Sequence, residues 1–449
     1  MKRILLSVFA AAVAVAWTVP ASAADVTFGG EVRVRGEWRD NVTFVDNTST
    51  QSFIGQRVRL TANAQASDDI SFKVTLQDTR NWGAAQAAAG GPNLTDSGDN
   101  TLDLHESYVN ITNLLESPVS LRIGRQELSY GDERLIGTFG WSNNGRSFDA
   151  VKAMVTTDLA NVDIFASKIR ESNPAGGTVD NDQDFYGIYA TTKAVPNNTL
   201  DLYLLLLRDG LHTTAMIANN STFGTITGSQ KLYTIGARLA GSAAGLDYTV
   251  ELPYQFGEIG NTDIQAWALA AKAGYTIPGA PMNLRLGAEY NYATGDDDTT
   301  AGSDSETFSN LFPTNHNKLG YMDLQGWRNV SAWNLNLSAD VSEKLRVYAA
   351  YWDFRRAETT DHWYSAGQWN NAPAAAGPAA DPVRNATLNT SGSKKVGSEV
   401  DLVATYKYNN NVAIEAGLSR FFVGDFVEAG AGANNEDQDW AYLQVTAKF

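Results

Sequence analysis

Residues Thr27 to Arg39 read TFGGEVRVRGEWR. Phe28, Val32, Val34 and Trp38 fall on one side of an extended chain. Glu31, Arg33, Arg35, Glu37 and Arg39 fall on the other. This is the period of two that marks a β-strand. The charge on the polar face is the unusual part. An antiparallel sheet with one wet face tolerates charges there, but the pattern has to be explained along the whole chain.

It recurs. Val58, Leu60 and Ala62 alternate with Arg57, Arg59, Thr61 and Asn63, and Ile70, Phe72, Val74 and Leu76 with Ser71, Lys73, Thr75 and Gln77. The stretches 246–256, 284–292 and 400–408 repeat the scheme with Leu, Val, Tyr and Phe on one face and Asp, Glu, Asn, Thr and Lys on the other. Many of these runs are about 10 residues long, whereas soluble strands average about 5–6 and a tilted membrane strand needs about 9–11. Short connections lie near residues 67–69, 113–118, 157–160, 195–198, 241–245, 278–281, 341–344 and 409–411. Between them lie mostly longer polar stretches, at 40–51, 79–100, 129–146, 170–183, 209–229, 257–262, 294–327, 355–397 and 424–438. Eight turns alternating with nine loops join 18 strands, as expected of a transmembrane barrel whose two rims face different compartments. In lipid every backbone polar group must be paired, so an all-β chain can span only as a closed barrel. Eighteen strands at about 4.8 Å spacing and about 40° tilt enclose roughly 36 Å, too wide for side chains to fill. The lumen is then wet or occupied by inward-folded loops. A large β-helix or sandwich would bury the charged face and leaves the two chain ends unexplained.

Those ends carry signals. Residues 1–23 join a basic MKR, an apolar Ala-rich run and Ala21-Ser22-Ala23, the form of a secretory signal peptide cleaved after Ala23. The last strand alternates Leu443, Val445, Ala447 and terminal Phe449 against Tyr442, Gln444, Thr446 and Lys448. The expected domain organisation is a signal peptide, 1–23, and one all-β antiparallel up-and-down barrel, 24–449. The formal charge of −16 becomes −18 without Lys2 and Arg3. Such acidity excludes a nucleic-acid partner, which needs a basic face. The chain has no cysteine, so disulfides contribute nothing.

The stretch GRQELSYGDERLIGTFGWSNNGRSFDAV, 124–151, is dense in arginine and aromatics. Gly124-Arg125-Gln126, Tyr130-Gly131, Arg134, Trp141 and Arg146-x-Phe148-Asp149 resemble the signature of the alginate-export family of Gram-negative outer-membrane barrels. Segments 311–329, 361–364 and 397–425 resemble the family too, and the last strand ending in Phe449 resembles the signal by which bacterial outer-membrane barrels meet the barrel-assembly machinery. The resemblance implies an 18-stranded barrel in the bacterial outer membrane, in contact with its lipid and lipopolysaccharide. It also implies an arginine-lined constriction, onto which Arg125, Arg146 and Asp149 carry over. Strict alternation points Arg122 inward and Arg125 outward, so an inward Arg125 needs a bulge at Gly124, unless the residue already sits above the lipid. The resemblance further implies, for exporters proper, a long gate loop near the C-terminal end; here the corresponding turn, Tyr408–Asn411, is minimal.

Alternation independently places Arg33, Arg35, Arg57, Arg59, Lys73 and Arg122 in the lumen, with Arg238 and Arg285 further round. Either they guide anionic solutes, or they pair with Glu31, Glu37 or Glu289 and stiffen the wall. Trp327, Arg328, Trp363 and Tyr364 either stack on sugar rings at the mouth or pack the loops. The four histidines show no HExxH spacing, and the loop carboxylates at 96–99, 296–306 and 436–439 no calcium-loop spacing. No catalytic residue, metal or cofactor is expected. The expected function is a channel or porin for the diffusion or export of small or polymeric, anionic, hydrophilic solutes. The alternatives are a dedicated exopolysaccharide exporter, and a non-transporting barrel such as an adhesin or lipid-modifying enzyme.

Overall fold

In a computed structural model, described for residues 25–42, 44, 50–82, 102–171, 182–192, 194–218, 221–297, 304–364, 366, 392–429 and 436–449, the chain is one closed barrel. Its strands are β1 (Asp25–Asp40), β2 (Gln51–Ser67), β3 (Ile70–Asn81), β4 (Asp103–Ile111), β5 (Val119–Gln126), β6 (Phe148–Thr156), β7 (Ala160–Arg170), β8 (Gln183–Thr192) and β9 (Asn198–Ala218). They continue as β10 (Ser221–Ala243), β11 (Leu246–Ile259), β12 (Thr262–Thr276), β13 (Arg285–Ala293), β14 (Val330–Asp340), β15 (Leu345–Arg355), β16 (Lys395–Lys407), β17 (Val412–Val423) and β18 (Gln438–Lys448). Each pairs antiparallel with its sequence neighbours, and β1 pairs with β18 to close the sheet. The expected 18 strands are present and joined at the expected short turns, while the expected loop at 257–262 is only the two-residue turn 260–261 between β11 and β12. The expected signal peptide and Asp96–Asp99 lie outside the described residues.

Alternation has the consequence the barrel requires. On β1, Phe28 is 69% exposed and Trp38 41%, while Arg33 is 4% and Glu37 5% exposed. The apolar face meets lipid and the charged face meets the lumen, the inverse of a soluble sheet. At the seam the main chains of Phe449 and Gly30 exchange two hydrogen bonds of 3.1 Å. A Cβ at Gly30 would stand 2.5 Å from the Phe449 ring. The last residue thus lies against the first strand where the barrel closes.

One expected loop is strand instead. Residues 209–218 and 221–229 continue the ladder, so that β9 and β10 are 21 and 23 residues long and pair to Ala218–Ser221. Beyond the lipid both faces of a hairpin are wet, so apolar–polar alternation is no longer required. The Thr- and Ile-rich segment pairs without it.

The buried aromatics lie inside the barrel, towards the long-loop end. The loop from 127 to 147, between β5 and β6, and the described residues 304–329 of the loop between β13 and β14 fold into the lumen. They join where Ile136 bridges Phe312. Phe312 packs between Phe148 and Phe185, at 5.5 and 4.8 Å between ring centres.

Candidate functional site: the lumen constriction

The 127–147 loop spans the lumen, held differently at each side. On the β1–β2 side three wall arginines grip its backbone. Arg33 donates to the carbonyls of Gly140 (2.7 Å), Trp141 (3.0 Å) and Ser142 (2.9 Å). Arg57 donates to Gly140 and Ser142, each at 3.1 Å, and Arg35 to Trp141 at 2.8 Å. Trp141 is also sandwiched, with the Arg35 guanidinium 3.7 Å from its ring centre and the His316 ring stacked at 3.7 Å. His316 reaches Asp323 at 2.9 Å. Buried carbonyls need donors, and a guanidinium fork supplies several from one side chain.

These arginines are therefore anchors as well as wall charges. Two also take carboxylates, Arg57 with Glu31 at 2.6 Å and Arg35 with Glu37 at 2.7 Å, two of the three acids weighed from the sequence. The third, Glu289, pairs instead with Arg134 of the loop. Arg59 donates to Gln77 (2.7 Å) and meets Glu127 (3.4 Å), and Lys73 meets Glu106 (2.5 Å). Arg122 points into the lumen, donates to Asn110 at 2.8 Å and lies over Tyr108.

Arg125 and Asp149 lie elsewhere. The register of β5 against β4 and β6 runs unbroken through Gly124, so no bulge turns Arg125 inward. Its side chain, 39% exposed, shares the outer face with Ile123 and pairs with Asp149 directly across on β6, at 2.8 and 2.9 Å. The physical reason is that the carboxylate opposite supplies on the outer face the partner that a turn inward would have sought. Gly124 is required for another cause. Its φ is +126°, and a Cβ there would meet the Ser107 carbonyl at 2.3 Å. The bulge is on β4, where the register against β3 slips between Thr75 and Leu76. It turns both His105 and Glu106 into the interior. His105 then touches both stems of the loop, Glu127 at 2.7 Å and Ser147 at 3.2 Å. Arg146 ties the two inner loops together, donating to the carbonyls of Gly137 (3.0 Å), Phe312 (2.5 Å) and Pro313 (2.8 Å). Burial brings its pKa down to about 10.

The far side of the loop reverses the roles. Tyr130 donates to Asp163 at 2.8 Å and stacks on Tyr189 at 4.4 Å. Burial, then the Asp163 carboxylate, pushes its phenol well up. Asp132 accepts from Arg238 of β10 at 2.5 Å and from Lys272 of β12. Burial alone would raise its carboxyl, but Lys272, Arg238 and Arg134 outweigh that and hold it below the ordinary carboxylate range. Lys272 went unnoticed in the sequence, though alternation along β12 places it opposite Glu289 on the inner face. Asp132 had no periodic signal, because a loop has no period.

The mouth aromatics pack rather than present rings. Trp327 is 2% and Trp363 1% exposed. Trp327 lies against Phe308, Trp363 against Phe44 and Phe421, and Arg328 over Tyr364. Among the described residues no three His, Asp or Glu side chains gather as a metal site, and Asp437 and Asp439 pair with Arg420.

A sequence model described as alginate export matches residues 24–440. Three Pseudomonas aeruginosa structures are similar in fold. OccK8 (OprE) is 12% identical, with 95% of this chain and 98% of that one covered and a TM-score of 0.56. OccK11 (OpdR) is 11% identical, with 95% and 96% covered and a TM-score of 0.57. The outer membrane protein OprD is 12% identical, with 95% and 94% covered and a TM-score of 0.55. No curated protein matches the chain.

Proposed function

The chain belongs to the alginate-export family and is an outer-membrane barrel channel, and from that premise we propose that it passes small hydrophilic anions, carboxylates and uronates among them, by diffusion. The observation that carries this reading is the charge of the wall on which the constriction rests. Arg33, Arg35, Arg57, Arg59 and Lys73 lie on the adjoining strands β1 to β3 and Arg122 on β5, and Arg33 and Arg122 make no ion pair with a described carboxylate. Cations in a low-dielectric tunnel raise the local anion concentration. Arg146 contributes by fixing the two inner loops to each other, while Arg125 and Asp149 stand outside the path.

The short turn Tyr408–Asn411 between β16 and β17 supports diffusion over gated export of polymer, since four residues leave no loop to swing. A dedicated exopolysaccharide exporter is the second reading, favoured by the family match, and it requires that deletion abolish a secreted polymer. We further propose that residues 1–23 are removed after Ala23. The seam geometry at Phe449 and Gly30 supports the C-terminal strand as the element read by the barrel-assembly machinery.

Planar-bilayer recording of the purified protein in a salt gradient tests the channel reading. The expected reversal potential is that of an anion-selective pore, with current reduced by added galacturonate. Cation selectivity would overturn the anionic part, and absence of conductance the channel itself.

A further inference from the structure

The 127–147 loop puts one carboxylate in contact with two wall cations and within electrostatic reach of two more. Asp132 takes Arg238 on one oxygen and Lys272 on the other. Arg134 and the Lys318 ammonium of the 294–329 loop act on the same carboxylate electrostatically. The cations are not otherwise exhausted. Arg238 also holds Asp201 at 2.9 Å and Arg134 holds Glu289. Lys272 meets no second carboxylate and Lys318 none at all among the described residues. Two donors remain unspent, Arg134 Nη1 and Arg238 Nε, both buried without a partner. Arg134 is 5% exposed. The cradle therefore offers N–H donors beyond those that Asp132, Asp201 and Glu289 use. It is also reachable, because the Lys272 side chain is 38% exposed.

Where the carboxylate comes from matters. The strand carboxylates Asp201 and Glu289 are fixed in the wall beside their arginines. Asp132 is on a loop, after Tyr130 and Gly131. Gly131 has φ +55°, and a Cβ there would meet Arg238 Cδ at 2.9 Å and Tyr189 Oη at 3.0 Å. The bare turn is what lets Asp132 reach the wall. A tethered group competes at the high effective concentration of its tether. It thereby keeps a free anion from binding so tightly that it cannot leave, which conduction requires.

We propose that the cradle of Arg134, Arg238, Lys272 and Lys318 is the channel's binding station for a solute carboxylate, and that Asp132 is a built-in stand-in which a passing carboxylate displaces. The proposal rests on the anionic-channel reading and names the group of the solute that is recognised. A sugar acid fits because its carboxylate exchanges oxygen for oxygen with Asp132. A neutral sugar brings no charge with which to compete.

The test is calorimetric titration of the detergent-solubilised full chain with galacturonate, with galactose as the uncharged control. Removing the competitor in Asp132→Asn is expected to tighten galacturonate binding about tenfold, as when a self-occluded site becomes fully competent, and to leave galactose unaffected. Lys318→Gln touches neither contact of Asp132 nor any anchor of the loop, and is expected to weaken galacturonate binding in the wild-type and D132N chains alike. If D132N does not assemble, wild type against K318Q alone carries the test. Equal galacturonate affinity in D132N and wild type, or in K318Q and its parent, overturns the proposal. Binding in detergent is read without current, so a failure here is distinct from a loss of anion selectivity in the bilayer.

Discussion

The two sides of the constriction loop hold it by opposite chemistry. On the β1–β2 side, wall cations grip neutral carbonyls of Gly140, Trp141 and Ser142. On the β10–β12 side, a loop carboxylate grips wall cations. The first arrangement spends no loop charge and has no anionic competitor, because a solute cannot mimic three successive carbonyls at fixed spacing. The second is an ordinary ion pair, exchangeable for any carboxylate. One side is thus an anchor and the other a latch, and the contrast can be attacked at either end.

The largest effect is expected from cutting the anchor. Arg33→Ala with Arg57→Ala leaves the buried carbonyls of Gly140 and Ser142 without donors and Glu31 with only Lys448, at 3.5 Å. Breaking a buried pair from one side costs about 3–5 kcal/mol. Denaturant unfolding in detergent should show that loss, and single-channel conductance should rise as the loop leaves the wall; an unchanged conductance would mean that the loop is held elsewhere. Next comes Arg146→Met, which orphans the carbonyls of Gly137 and Pro313 and leaves that of Phe312 with the Gly137 N–H alone. Hydrogen bonds to charged groups contribute about 1.5–3 kcal/mol. Limited proteolysis should cut the 294–329 loop faster while the barrel stays folded.

The latch should respond to solution conditions where the anchor does not. The Asp132 carboxyl lies below its ordinary value of 3.8. A depressed carboxyl stabilises at pH above its unfolded value, and that contribution is lost as pH falls through the folded one. Conductance should therefore be flat from neutrality down to about 4 and rise only below it. A rise already near neutrality would show that another group titrates the loop. The smallest effect is expected at Arg125 and Asp149. Both are more than a third exposed, and such pairs contribute about 0–1 kcal/mol. Replacing both by alanine should leave the reversal potential unchanged; a shift would place them in the path after all.

The legible part of the molecule was periodic. Thirteen residues at 27–39 already announced which face met lipid, and the same rule, kept strictly, put Arg122 inside and Arg125 outside. The bulge that would have brought Arg125 inward is absent, and Gly124 serves a close approach to β4 instead. Alternation failed where the β9–β10 hairpin runs on past the expected strand ends, and at the β4 bulge, where His105 and Glu106 both turn inward. His105 and Ser147 could not be paired in advance, because they meet through a bulge on β4 and a loop stem far along the chain.

The sequence by itself determined the barrel, its 18 strands, their inward and outward faces and the family, because a lipid boundary acts on each residue locally and leaves a period of two. It did not determine what the inward charges do. Whether Arg33 faces a solute or a carbonyl depends on where a loop about a hundred residues away comes to rest. Only the closed structure decided that its backbone lies on three arginines while its Asp132 carboxylate lies on the opposite cations.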